Sequence, residues 1–252
     1  MDKKNKAFNR LLTIMDQLRE QCPWDKKQTM QTLRNLTIEE VYELSDAILN
    51  LDMESIREEL GDVFLHLVFY SKIASEKKAF DVADVLNEVC EKLIRRHPHI
   101  YSDVKVKDEE EVAANWEKLK LKEGKKSILE GVPRSLPAIN KAIRLQEKTA
   151  KVGFEWEEVD QVRQKVEEEW EELQQANTAS DKDAIEEEFG DVLFALMNYA
   201  RFLNVDPEAA LERSNQKFKR RFEYIEEQAL QKGRETAGMS LLELDKLWNE
   251  AK

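Results

Sequence analysis

Apolar residues recur along this chain at every third or fourth position, between runs rich in Glu, Lys, Leu and Ala. That spacing is the period of an amphipathic helix. It predicts helices over roughly residues 4–20, 33–50, 54–76, 81–96 and 108–123. A second series follows over about 136–150, 159–177, 182–203, 207–231 and 240–251. Stop signals agree with these bounds. Cys22-Pro23-Trp24-Asp25 interrupts an early helix, and Asp206-Pro207 reads as an N-cap followed by proline in the first turn. The stretches Val63–Tyr70 and Val192–Leu203 are apolar nearly all round but too short or too interrupted to span a bilayer, so they read as buried core helices.

Composition sharpens the fold class. Seven Gly and five Pro in 252 residues are few for a strand-rich fold, which needs frequent turns. The chain reads as all-α. Two Gly and two Pro fall between Gly124 and Pro137, which makes this the best boundary in the chain. The expected organisation is an N-terminal helical bundle over 1–123, a linker over 124–136 and a C-terminal bundle over 137–252.

The two series repeat each other. Glu39-Glu40-Val41-Tyr42-Glu43-Leu44 matches Glu168-Glu169-Trp170-Glu171-Glu172-Leu173 at an offset of 129. Glu58-Glu59-Leu60-Gly61-Asp62-Val63 matches Glu187-Glu188-Phe189-Gly190-Asp191-Val192 at the same offset. Lys92…Arg95-Arg96 matches Lys217…Arg220-Arg221 with a four-residue slip, and Trp116 and Trp248 close the two series. A constant offset across an intervening loop indicates a tandem duplication.

Each copy carries Glu-x-x-Glu, fifteen residues, then Glu-x-x-Asp: Glu40, Glu43, Glu59 and Asp62 in the first, Glu169, Glu172, Glu188 and Asp191 in the second. The i, i+3 spacing sets both acids of a pair on one side of a helix. A turn between the helices would bring the pairs face to face, giving a hard oxygen cage suited to Mg²⁺ or Mn²⁺. In a chain with 37% charged residues the competing reading is a solvated acidic face. Two features oppose it. Glu40 falls inside the sector of Leu33, Val41, Leu44, Ala47 and Leu51, and Glu169 lies about 60° from the centre of the Val159, Val162, Val166, Trp170 and Leu173 stripe. Asp62 and Asp191 each open an apolar segment, where a carboxylate is costly unless paired or bound to metal. A di-iron site would want Glu-x-x-His on two helices, and His66, His97 and His99 are not so placed. His66 reads as a satisfied core residue, and His97 and His99 as a helix-end feature around Pro98.

Lys165 stands one turn before Glu169, and Lys217 and Arg221 share one face of a later helix. Around the acids they would neutralise a polyphosphate; Arg220 reads as ordinary surface charge. A net charge of −12 argues against nucleic acid or anionic lipid as partner. Two cysteines, Cys22 and Cys90, without CxxC spacing suggest a reducing cytoplasm. The polar start MDKKNKAFNR lacks the apolar core of a signal peptide.

These motifs resemble the MazG family of the all-α NTP pyrophosphohydrolase superfamily, over nearly the whole chain. Besides both acidic motifs the resemblance takes in Cys22-Pro23-Trp24-Asp25, Arg95-Arg96-His97-Pro98-His99, Asn115-Trp116-Glu117, the stretch Gly131 to Ala138, Gly153-Phe154-Glu155-Trp156, Asn215…Lys217-Phe218…Arg220-Arg221-Phe222 and Trp248. It implies a Mg²⁺-dependent hydrolase cleaving an NTP to NMP and pyrophosphate, a homodimer, and activity associated with the C-terminal copy. Carried over, Glu169, Glu172, Glu188 and Asp191 are the metal ligands. Lys165, Glu168, Lys217, Arg221 and Trp248 line the nucleotide site, with Trp248 stacking on base or ribose. Water activated at the metal attacks the α-phosphorus, and Glu168 or a ligand carboxylate accepts its proton. Two-copy relatives can place a lysine just before the second acidic pair; here Asp183-Ala184-Ile185 stands there, with Lys182 close by.

The copies also differ. Lys165 aligns with Leu36, and Asn198 aligns with Phe69, while Lys92 and Arg96 are retained in the first copy. The second copy is therefore expected to carry most of the activity. Two other readings remain open: a narrower pyrophosphohydrolase of the same superfamily, for dUTP or phosphoribosyl-ATP, and a helical regulatory protein whose acids bind metal without catalysis.

Overall fold

A computed structural model describes residues 2–102, 104–108, 112, 115 and 127–252. Among the described residues every α or β element is a helix. The chain divides into two compact units, Met1–Trp116 and Glu117–Lys252. Residues 124–126 of the expected linker, Trp116 and most of the helix expected over 108–123 lie outside the described residues.

In the first unit, α1 (Lys3–Gln21) stops where Pro23 opens the short α2 (Pro23–Lys27). Then come α3 (Met30–Leu49), α4 (Met53–Glu76), α5 (Val82–Arg96) and the one-turn α6 (Pro98–Tyr101). The core joins α1, α3 and α4 through Met15, Leu33, Val68, Phe69 and Ile73. Arg19 ties these parts at the rim. Its guanidinium holds Glu76 through two hydrogen bonds of 3.0 and 2.6 Å and donates to the backbone carbonyls of Asp25 and Gln28.

The second unit contains α7 (Ala138–Ala150), α8 (Val159–Ala179), α9 (Lys182–Phe202), α10 (Pro207–Gln231) and α11 (Leu241–Glu250), with a 3₁₀ turn over Thr236–Gly238. Its buried apolar residues include Val162, Val192, Ala195, Ile225, Ala229 and Leu247. Asp206 caps α10 by accepting from the Ala209 N–H, with Pro207 in the first turn.

The duplication is visible in one turn, built twice. Leu51 and Ser180, 129 residues apart, both adopt the left-handed conformation, with φ of 55° and 58°. The next residue is aspartate in each copy. The Asp52 N–H bonds the Ala47 carbonyl and the Asp181 N–H bonds the Ala176 carbonyl, which closes the first helix. The same aspartate side chains then accept from the opening N–H groups of α4 and α9. One residue ends one helix and starts the next, so α3–α4 and α8–α9 are tight antiparallel helical hairpins.

Candidate acidic hairpin and adjoining cavity

In an antiparallel hairpin, residues equally far from the turn lie opposite each other. Glu172 and Glu188 are eight residues on either side of Ser180, and Glu169 and Asp191 are eleven. Glu43 and Glu59, then Glu40 and Asp62, keep the same distances from Leu51. The turn therefore sets the register that makes the acids meet. Carboxylate oxygens of Glu169, Glu172 and Glu188 all lie within 4.8 Å of one another, and so do those of Glu40, Glu43 and Glu59. The aspartates stand beside these triplets with shorter side chains. Asp191 lines the adjoining cavity. Asp62 lies near enough to raise the proton affinities of Glu40 and Glu59.

The clusters are electrostatically loaded. Desolvation within the cluster pushes the carboxyl of Glu172, an exposed residue, above its ordinary range, and repulsion from Glu169 and Glu188 adds to the shift. Glu40 and Glu59 are raised for the same reasons, burial first. Glu169 is buried and Glu40 half-buried, in keeping with their positions on the apolar side of their helices. Three hard oxygen donors from two rigid helices, with mutual repulsion left over, suit a divalent cation such as Mg²⁺.

One cation is already present in the second copy. Lys165 Nζ lies 2.8 Å from both Glu168 and Glu169, and those hydrogen bonds hold its pKa well above the ordinary lysine value. Lys165, Glu169 and Asp191 form one end of a cavity of about 630 Å³. The rest of its wall includes Gln146 and Thr149 of α7, the loop Gly153-Phe154-Glu155-Trp156, and Phe194, Ala195 and Asn198 of α9. That loop is fastened to α9 by the Glu155–Arg201 ion pair, 2.5 Å. Gln146, Phe154 and Glu155 had no assigned role in the sequence reading; only packing of α7 and this loop against α9 brings them to the acids.

In the first copy the corresponding space is filled. Leu36 replaces Lys165 and packs against the core, and Phe69 replaces Asn198 and is 2% exposed. His66 stands where Ala195 does and is also buried. Its role differs from the expectation in one respect: its Nδ1 is buried with no hydrogen-bond partner among the described residues. Burial lowers its pKa, against the opposing pull of Asp62. His97 and His99 flank Pro98 between α5 and α6, as a helix end.

Lys217 and Arg221 stand on α10 and Trp248 on α11. The Arg221 guanidinium lies 5.3 Å from the Trp248 ring centroid, and that ring is 5.1 Å from Phe218. Lys217 is exposed one turn before Arg221. None of the three lines the cavity beside the acids.

Apolar faces expected to be buried are partly open. Phe64 and Leu67 of α4, and Phe189, Leu193 and Phe194 of α9, are exposed, as are Val41 and Trp170 within the stripes of α3 and α8. Each hairpin packs one side into its unit and presents the other. No described helix is long and apolar enough to cross a membrane.

Comparison with known proteins places this geometry. The family model for the MazG nucleotide pyrophosphohydrolase domain matches twice, over residues 28–101 and 157–225. The nucleoside triphosphate pyrophosphohydrolase of Escherichia coli K12 is 41% identical over 97% of this chain and 97% of its own length. The nucleoside triphosphate pyrophosphohydrolase/pyrophosphatase MazG of Thermotoga maritima is 42% identical over 97% of this chain and 95% of its own. Uncharacterized protein YabN of Bacillus subtilis is 48% identical over 97% of this chain, which spans 51% of that longer protein.

Proposed function

The chain belongs to the MazG nucleotide pyrophosphohydrolase family, and from that premise we propose that its second copy hydrolyses nucleoside triphosphates to the monophosphate and pyrophosphate. The observation that carries the reading is the α8–α9 acid cluster opening onto a nucleoside-sized cavity with Lys165 at the junction. Glu169, Glu172, Glu188 and Asp191 would hold Mg²⁺, and the bound ion would supply a Lewis acid that offsets phosphate charge and acidifies water.

The protein's own groups do the rest. Lys165 sets a positive charge where triphosphate oxygens meet the acids, so that substrate is not repelled by them. Glu168, exposed and beside Lys165, accepts the proton of the attacking water, alone or with a ligand carboxylate. The water oxygen bonds to the α-phosphorus, the bond from that phosphorus to the α–β bridging oxygen breaks, and pyrophosphate leaves with the electron pair. Lys217, Arg221 and Trp248 bind nucleotide from α10 and α11. None of the three lines the acid cavity in one chain, and we assign them to completing a site across a homodimer. The same apolar hairpin face left open in both copies supports a second chain as its cover.

Hydrolysis in ¹⁸O-water tests the bond cleaved. Attack at the α-phosphorus places the label in the NMP and leaves pyrophosphate unlabelled. Label in pyrophosphate, or NDP and orthophosphate as first products, would overturn the mechanism.

A further inference from the structure

Lys72 and Arg201 are 129 residues apart and hold the same place in α4 and α9. Both are cations, and each grips an acid from an earlier element, but the elements differ. Lys72 Nζ pairs at 2.6 Å with Asp16 of α1, in the copy whose space is filled. Arg201 pairs instead with Glu155, at 2.7 Å to Oε1 and 2.5 Å to Oε2, in the loop that walls the open cavity. Its Nε and Nη2 also donate to the Asn198 Oδ1, at 3.2 and 2.8 Å. One planar guanidinium thus joins the loop to a second residue of the cavity wall. The Arg201 and Glu155 side chains are only 22% and 26% exposed, so water competes little with their pairing.

What this pair holds is an accessible aromatic. Phe154 lines the cavity and is 81% exposed, so packing of its own side chain does not fix its place. Its backbone does. On the α7 side the Phe154 N–H bonds the Thr149 carbonyl at 3.1 Å, and Gly153 takes a φ of 86°, as at a helix C-terminus. On the α9 side the tie is Glu155, whose Oε1 also accepts from the Trp156 N–H at 3.0 Å. An open ring held from both sides is a preorganised surface for a planar group. Phosphates have no such need, and the cation and acids that suit them form the Lys165 end. We propose that Arg201 is a positioning residue: through Glu155 it holds Phe154 in the cavity wall, where the nucleoside of the substrate stacks on it. The inference rests on the pyrophosphohydrolase reading and deepens it by dividing the cavity into a nucleoside end and a phosphate end.

The experiment sets the best-used of the four NTPs against inorganic tripolyphosphate, which carries the phosphates without a nucleoside. KM, kcat and the tripolyphosphate inhibition constant are measured with Mg²⁺ for wild type, Arg201→Met, Glu155→Gln, Phe154→Ala and the Arg201→Met/Phe154→Ala double variant, with melting curves to check folding. Each single variant should raise KM about 10-fold, the scale of one lost base–aromatic stack, with kcat within about 3-fold of wild type. The tripolyphosphate constant should stay put, which damage to the whole site would not allow. The double variant should be no worse than either single one, because both remove the same contact. Glu155→Gln breaks the pair from the loop side and decides the matter if Arg201→Met does not fold. An unchanged KM in any folded single variant, a tripolyphosphate constant that rises in step with KM, or full multiplication of the two effects in the double variant overturns the proposal. If wild type turns over no NTP, or tripolyphosphate does not compete with it, the functional reading itself fails and this inference fails with it.

Discussion

Lys165 and Glu172 carry opposite electrostatic burdens in one cluster of charges. Lys165 is shared between two carboxylates, while Glu172 is pushed toward its neutral form by desolvation and by Glu169 and Glu188. Lys165→Met is therefore expected to raise KM for NTP, with a fall of about 10- to 100-fold in kcat/KM. It should leave Mg²⁺ affinity unchanged or slightly tighter, because a competing charge is gone; a loss of Mg²⁺ binding measured by calorimetry would contradict this. The sign of the pH effect follows from Glu172. Its folded pKa is raised, so the metal-free protein binds more protons than the unfolded chain in that window and loses stability as pH rises through it. Mg²⁺ should thus raise the melting temperature more at pH 8 than at pH 5, and an equal shift at both would argue against metal on these acids. The acids were legible in the sequence because the 129-residue offset marks them, and Lys165 because it stands one turn before Glu169. The place of Gln146 in the cavity wall was not, because it depends on packing against Phe194, 48 residues away in the chain.

Most helices were legible too, since a period of 3.6 and strong caps survive without context. The α10 start at Asp206-Pro207 and the α1 stop before Pro23 show this. The one-turn helices α2 and α6 and the 3₁₀ turn were missed, being too short to show a period. The left-handed turn residues were also silent, because Leu51 and Ser180 are not glycine. Ser180→Gly should relieve that conformation and leave the protein unchanged or stabilise it by up to about 1 kcal/mol. Ser180→Val should destabilise it by about 1–2 kcal/mol. Chemical denaturation decides between this and a neutral valine, which would mean that the turn is not strained. In α11, Glu243 bonds Arg234 and the Ser240 cap, which pulls its pKa down to about 2. The cap's contribution is present above the ordinary carboxylate range and is lost as pH falls through that value. Arg234→Met should raise the Glu243 pKa in an NMR titration.

At the scale of the whole molecule, sequence periodicity predicted faces that a single chain does not bury. Phe64 and Leu67 in one hairpin, and Leu193 and Phe194 in the other, read as core but lie open, and Phe189 lies open beside them. A pattern records that a face is apolar, not which chain covers it. Sedimentation should give a homodimer, and Phe189→Glu should shift it toward monomer while the second unit stays helical; a monomeric wild type would contradict the assignment of Lys217, Arg221 and Trp248 to a shared site. The copies themselves share acids but not space, since Leu36, His66 and Phe69 fill in the first what Lys165, Ala195 and Asn198 leave open in the second. The account accordingly turns on which acids matter. NMP and pyrophosphate released from NTP and Mg²⁺ should be quantified for wild type, Glu43→Gln and Glu172→Gln in the full-length chain. The prediction is that Glu43→Gln keeps most of the wild-type rate and Glu172→Gln loses nearly all of it with helicity intact. Equal loss in both variants, or a normal rate in Glu172→Gln at saturating Mg²⁺, would contradict a catalytic second copy.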